Sequence, residues 1–360
     1  MGIKNLTKFL KTKYPNIFRQ VELSSFGYKK IAIDISIYIC RFKVSNGDNW
    51  LDSLLKMTMC LRKNNIHFIV VYDGGFPVEK NAEHAKRKMA RQRNLERIAT
   101  LQSEMTEYLR TGTSTKNLEN IMDNHINAIS CQYRRILVKK ENEDQKIEID
   151  PSVIFSKIEK MKRYIISITP ADYEITKKLF DILSIPWIVA PMEAETLCYD
   201  LCARKAVDAV LSEDSDLFAY GNPTTMLNIN FFDETCIVLN HKDILNSVEM
   251  TQTSFLDFCI MCGTDYNMNI PKIGSERSFL LMKQYKSIEV FADETDTDVS
   301  ILKHNDVRLI FKNFKSDLRH IPYCSTPNYD LLHQFIVSNN ILINIENIKS
   351  CFSRNIIFNE

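Results

Sequence analysis

No apolar run in these 360 residues approaches the roughly 18 to 20 residues that a membrane-spanning helix needs. The longest candidates, such as "KIAIDISIYIC", are broken by charge, so no membrane span is expected. The N-terminal "MGIKNLTKFLKTKYP" carries lysines throughout and lacks an apolar core, which excludes a secretory signal. It begins Met-Gly, but Leu6 stands where a myristoylation motif has Ser or Thr. The ten cysteines form no spacing framework. Cys259 and Cys262 make a CxxC in an apolar helical run with no second pair to complete a zinc site, and Cys198 and Cys202 lie four apart on an expected helix. Core packing is expected for both pairs, and reduced thiols fit an intracellular setting. No internal repeat and no low-complexity tract is present.

What is there is a chain 45% hydrophobic and 25% charged, able to bury a sizeable core as one large domain or two. "KIAIDISIY" from Lys30 to Tyr38 is a β-branched run, and "IHFIVVYDGG" from Ile66 is another that ends in Asp73. Both read as buried parallel strands. Between them "DNWLDSLLKMTMCLRKNN" has helical spacing and closes on Asn64 and Asn65. The unit is βαβ, with an acid near the C-terminal end of each strand, the edge where open α/β sheets bind ligands. From Val78 to about Ile168 the pattern becomes long, charged and helical, an inserted arm. The α/β pattern returns where Thr169 can cap a helix that has Pro170 at its first position. "IPWIVA" then reads as a strand, "MEAETLCYDLCARKA" as a helix and "DAVLSEDSD" as the next strand and its end. After Asn240 the chain reads as helical. The expected divisions are 1–97 and 169–240 for the α/β core, 98–168 for the helical insertion and 241–360 for a C-terminal helical region.

Seven acids fall at strand ends or helix starts: Asp34, Asp73, Glu193, Glu195, Asp214, Asp216 and Asp265. Singly, each has a structural explanation as a cap, a dipole partner or a turn residue. Jointly, acids two apart (Glu193/Glu195, Asp214/Asp216) can face one cavity, and carboxylates this dense repel unless something holds them together. Oxygen-only ligands suit Mg²⁺, with Mn²⁺ as a substitute. Two such ions clamp the attacking and leaving oxygens of a displacement at phosphorus, so phosphodiester hydrolysis is expected. The net charge of +1 hides a basic run from Lys80 to Arg97 with seven Lys or Arg against two Glu. A basic surface beside an acidic pocket suits an enzyme that grips a polyanion.

"MGIKNL", "IAIDIS", "VYDGGFPVEKNAEHAKR", "APMEAETLC", "LSEDSDLFAYG" and "DFCIMCGTDYNMNIPKIG" resemble, in order and context, the flap endonuclease family, the structure-specific 5′ nucleases related to the xeroderma pigmentosum group G nuclease. The resemblance covers essentially the whole chain and is thin between about Arg97 and Ile165. It implies a PIN-like α/β fold, a central parallel sheet flanked by helices, with an inserted helical arch and a C-terminal helix-two-turn-helix. It implies two Mg²⁺ ions, one held by Asp34, Asp73, Glu193 and Glu195 and the other by Asp214, Asp216 and Asp265. Lys80 and Arg87 match the family's basic residues at the base of the arch, seven apart and so two turns along one helix face, where they would steady the scissile phosphate. Gly2 would lie near the site and contact substrate, Lys86, Lys88 and Arg91 would add backbone contacts to DNA, and the turn at Lys272, Ile273 and Gly274 would bind duplex backbone with a K⁺ ion.

The sequence also departs from the family. Cys40 stands where a Tyr stacks on a substrate base, and Tyr38 is two residues early. The family's Gly-Ile-Gly reads Lys272-Ile273-Gly274, the lysine adding a phosphate contact. No sliding-clamp motif is found. The expected function is Mg²⁺-dependent hydrolysis of branched or flapped DNA near single-strand/double-strand junctions, by a monomer, in the nucleus or wherever DNA is replicated. Holliday junction resolution, pure 5′ exonuclease or RNA endonuclease activity on the same core, and a non-catalytic DNA-binding role, stay open.

Overall fold

The computed structural model describes residues 2–133, 149–312, 314, 316–318 and 320–352. They divide into two compact units, one comprising positions up to Glu83 together with the chain from Ile168 onward, the other His84–Ser167.

The first unit is built on seven strands: β1 (Arg19–Glu22), β2 (Lys30–Asp34), β3 (His67–Tyr72), β4 (Trp187–Val189), β5 (Ala209–Leu211), β6 (Thr224–Asn230) and β7 (Thr235–Asn240), in the spatial order β1-β7-β6-β5-β2-β3-β4. From β6 to β4 every neighbouring pair is parallel. The β6–β7 hairpin and the β7–β1 pair are antiparallel. The expected parallel sheet is therefore corrected to a mixed one.

Alternation along the central strands sorts side chains to two faces. Ile31, Ile33, Phe68, Val70 and Tyr72 enter one core, while Ala32, Ile69 and Val71 pack on the other face with Ala194, Leu197, Cys198 and Leu201. Cys198, Cys202, Cys259 and Cys262 are all buried free thiols.

The strand expected over Lys30 to Tyr38 stops at Asp34, and a helix occupies Ile35–Asn46. Its apolar residues carry helical spacing: Ile35, Tyr38, Ile39 and Phe42, at i, i+3, i+4 and i+7, all enter the first core, and that burial outweighs local propensity. Tyr38 is wholly buried there and presents no face for stacking on a base. Thr169 and Asp172 form a reciprocal capping box with Pro170 in the first turn, as the residue pattern predicts.

Beside the sheet, helices Gln252–Cys262 and Ser275–Tyr285 share a third core with the N-terminal helix Leu6–Lys13, where Phe9 meets Phe258 edge-on at 5.4 Å.

The second unit contains most of helix Asn81–Thr111, which runs unbroken through position 97, with helices Lys116–Tyr133 and Pro151–Arg163. Ile98, Leu101, Met105, Leu118, Ile154 and Ile158 give it a core of its own.

Candidate functional site

Parallel strands deliver their C-terminal ends to one edge, and here β2, β3, β4 and β5 each arrive with an acid. Asp34 closes β2, Asp73 follows β3, Glu193 follows β4 after a short turn, and Asp214 and Asp216 follow β5. The turn after β3 is held against the turn after β4 by Gly74, whose N–H donates to the Met192 carbonyl at 2.8 Å. A Cβ at Gly74 would stand 1.9 Å from the Ala190 carbonyl oxygen, so glycine is what allows the approach. Asp73 Oδ1 then accepts the Ala194 N–H at 2.8 Å, tying it to the helix start that carries Glu193 and Glu195.

Asp34, Glu193, Glu195, Asp214 and Asp216 are buried. Ser212 donates to Asp34 at 3.0 Å and Ser36 to Asp73 at 2.6 Å. Asp214 accepts the N–H of Asp216 at 3.0 Å. Asp216 is different: fully buried, with neither carboxylate oxygen hydrogen-bonded. Its carboxyl is pushed well above the usual range by burial and then by Asp214, against the pull of Lys80. Burial also raises Asp34, with Asp73 and Asp214 adding repulsion, and Glu195, with Glu193 and Asp214 adding theirs. Asp214 is raised by burial, opposed by the Asp216 N–H.

Lys80 is the counter-charge. It closes a 3₁₀ turn, Val78–Lys80, ahead of the long helix, so the expectation that it shares a helix face with Arg87 is corrected. Its ammonium is buried, donates to Glu193 Oε1, and lies 3.3 Å from Asp265 and 4.0 Å from Glu195. Burial alone would lower its pKa, but Glu195 and Glu193 hold it above the ordinary lysine value. Gly2 lies against the acids from another direction: it has φ +75°, and a Cβ there would meet Asp214 Oδ1 at 2.2 Å and Asp216 Oδ1 at 2.6 Å. The Ile3 N–H donates to Ser215 Oγ at 2.8 Å and fixes this segment.

Among the described residues no group of three or more His, Cys, Asp or Glu is arranged to hold one metal ion. The Lys80 ammonium stands among Glu193, Glu195 and Asp265 as the cation that holds these three together. The donor set nevertheless suits a hard divalent cation: all oxygen, crowded, with Asp216 offering two uncommitted buried oxygens.

The other predicted residues are on separate elements. Lys272 and Gly274 are exposed in the turn before helix Ser275–Tyr285, with Ile273 anchored in the core between them. Lys272 adopts φ 66°, a left-handed backbone. Arg87, Lys86, Lys88 and Arg91 belong to the helical unit, the first three exposed and Arg91 donating to the Ile166 carbonyl at 3.4 Å.

Sequence reasoning missed the groups that hold the acids in place: Ser36, Ser212 and above all Tyr266, whose hydroxyl donates to Glu193 Oε2 at 2.7 Å. Its place directly after Asp265 was the available signal. Glu213 turns away from the acids and accepts the Asn228 N–H at 2.7 Å.

Two family models match the chain, the XPG N-terminal domain over residues 1–94 and the XPG I-region over residues 184–265. A probable RAD2-like endonuclease of Invertebrate iridescent virus 6 is 32% identical, the alignment covering 98% of this chain and 92% of the viral protein. One from Invertebrate iridescent virus 3 is 34% identical over 88% of this chain and 86% of its own length. Flap endonuclease 1 of Enterocytozoon bieneusi is 29% identical over 88% and 79%. Among solved structures, the catalytic core of Rad2 in complex with DNA substrate matches the fold with a TM-score of 0.61 at 18% identity, over 98% of this chain and 99% of that one. Flap endonuclease-1 from Methanococcus jannaschii does so with a TM-score of 0.59 at 21% identity, over 95% and 96%.

Proposed function

Because the chain belongs to the RAD2-like, XPG family of structure-specific nucleases, we propose that it is a Mg²⁺-dependent 5′ nuclease that cuts branched or flapped DNA near single-strand/double-strand junctions during replication, repair or recombination. The observation that carries this reading is the crowd of buried carboxylates at the sheet edge, with Asp216 holding two uncommitted oxygens. Asp34, Asp73, Glu193 and Glu195 would hold one ion, and Asp214, Asp216 and Asp265 the other. When bound, such ions supply Lewis-acid activation of the phosphodiester and of the attacking water.

The protein's own part is positioning and charge. Ser212 and Ser36 orient Asp34 and Asp73, and Lys80 carries a positive charge into the acids, which lowers the cost of bringing a phosphodiester there. Gly2 keeps the approach to Asp214 and Asp216 free of any side chain. The unit His84–Ser167 is proposed as the arch, with Arg87, Lys86, Lys88 and Arg91 gripping single-strand phosphates irrespective of sequence. Helices Gln252–Cys262 and Ser275–Tyr285 are proposed as the helix-two-turn-helix, with Lys272 and Gly274 against duplex backbone and K⁺ at the same turn.

The test is cleavage-site mapping with Mg²⁺ on matched flap, nicked duplex, four-way junction and single-stranded RNA substrates, for the wild type and for Asp73→Ala and Asp214→Ala. Junction cleavage by the wild type, lost in both variants while DNA binding survives, is the expected result. Metal-dependent cleavage retained in both would overturn the ligand assignment. Preference for the four-way junction, or cleavage confined to free 5′ ends or to RNA, would replace the flap reading with the corresponding activity on the same core.

A further inference from the structure

We propose that Tyr266 is a positioning residue that fixes the Glu193 carboxylate and keeps the two groups of acids in register. This rests on the reading that Glu193 and Asp265 hold metal. Glu193 is gripped on both oxygens by side chains: Lys80 donates to Oε1 and the Tyr266 hydroxyl to Oε2, the latter at 2.7 Å. The two donors differ in kind. An ammonium competes with any cation for the carboxylate, whereas a neutral phenol orients it and leaves its charge available. When a cation takes the place of the Lys80 contact, the Tyr266 bond is the one that can remain.

The phenol is itself held on all sides. Its ring is buried, edge-on to Phe311 at 5.7 Å, with the Lys80 ammonium 5.6 Å from its centre. Its backbone N–H donates to Thr264 Oγ1 at 3.0 Å, Thr264 Oγ1 donates to Asn267 Oδ1 at 2.7 Å, and Asn267 Nδ2 reaches back to the Ile260 carbonyl at 3.0 Å. This closed turn also carries Asp265, which lies 3.3 Å from the Lys80 ammonium. One rigid turn thus presents an acid of one proposed group and orients an acid of the other, so the hydroxyl sets their spacing.

Tyr266→Phe deletes the hydroxyl and keeps the ring. Hydrogen-bonding partners of metal ligands are typically worth about 10–100-fold in metal affinity. The variant should therefore need about ten-fold more Mg²⁺, both for half-maximal cleavage and for half-saturation in calorimetric titration with Mg²⁺ alone. Its KM for DNA at saturating Mg²⁺ should stay within about two-fold of wild type. Tyr220→Phe removes another buried phenol hydroxyl, one paired with Thr196 Oγ1 at 3.2 Å, and should leave both Mg²⁺ curves in place. In a Glu193→Gln background the Tyr266→Phe effect on calorimetric Mg²⁺ binding should shrink to less than about two-fold, because the charged carboxylate it orients toward the cation is gone. Coincident Mg²⁺ curves for the wild type and Tyr266→Phe, or an undiminished effect in the Glu193→Gln background, would overturn the assignment while the nuclease reading stands. A wild-type chain that neither binds Mg²⁺ nor cleaves DNA would overturn both.

Discussion

Replacing Asp216 with Asn should make the metal-free protein more stable and the metal-bound protein less able to gain from metal. Asp216 is wholly buried, neither of its oxygens is hydrogen-bonded, and Asp214 repels its charge. Mutational data place the cost of an unsatisfied buried polar group at about 1–3 kcal/mol, and more for a charge. The amide stays polar but carries no charge for Asp214 to repel and has N–H groups that can donate to a neighbouring carboxylate; with Lys80 offsetting part of the original cost, a net stabilisation of about 1–3 kcal/mol is expected for this nearly isosteric change. In a protein this large that corresponds to roughly 2–6 °C in Tm, at about 2 °C per kcal/mol. Saturating metal acts oppositely: a ligand at 100 times its Kd stabilises by about 2.7 kcal/mol, and a variant short of one ligand captures less of it. Thermal unfolding in chelator and again in excess Mg²⁺ should therefore bring the two melting curves together or invert their order. A lower Tm for Asp216→Asn in chelator, or an identical Mg²⁺ increment in both proteins, would refute the reasoning.

Two further outcomes follow from local geometry. Gly2→Ala forces a left-handed alanine, at about 1–2 kcal/mol, and sets a methyl 2.2 Å from Asp214 Oδ1; cleavage at saturating Mg²⁺ should fall at least about ten-fold by single-turnover kinetics, while Tm falls by only roughly 2–4 °C at about 2 °C per kcal/mol. His67 is held neutral, its pKa pushed down to about 4 by burial and then by Arg62 and Lys30. An unfolded histidine titrates near 6.5, so the stabilisation is full above about pH 6.5 and is lost as pH falls through 4. At 1.36 kcal/mol per pH unit the interval is worth roughly 3 kcal/mol. His67→Phe should flatten that stretch of the stability curve in chemical denaturation, and an unchanged slope would count against the assignment.

The parallel part of the sheet was legible because buried strands bounded by acids have a sequence signature: Asp34, Asp73, Asp214 and Asp216 mark where strands end and backbone turns toward the same edge. The antiparallel part was not. β1 is four residues, three of them exposed, so no alternation announces it. The β6–β7 turn runs through "FFDE", with Glu234 at φ 52° and Asn228 in β6 at φ 48°, where the usual Asn-Gly or Gly signals of a hairpin are missing. Lys272 carries the same lesson in reverse. Its φ of 66° is the backbone that a glycine adopts freely, so the residue departs from Gly-Ile-Gly while the conformation there is one that suits glycine.

What the sequence conceals most is how the acids are held. Seven carboxylates can be counted from residue types, yet the forces that keep them together come from remote positions: Ser212 on Asp34, Ser36 on Asp73, Lys80 between Glu193 and Asp265, Tyr266 on Glu193. Each partner is an ordinary Ser, Lys or Tyr whose role depends on which strand ends lie side by side, information carried by the register of β2 against β3 and β5 and by the Gly74 approach. The unequal provision is itself informative. Glu193 is secured twice and Asp216 not at all, although both are buried in the same edge. Buried polar groups in a folded protein are nearly always paired, so an acid left without donors among neighbours that have them marks the point where the fold carries a cost that its own side chains offset only in part. A divalent cation is the partner whose chemistry would remove it.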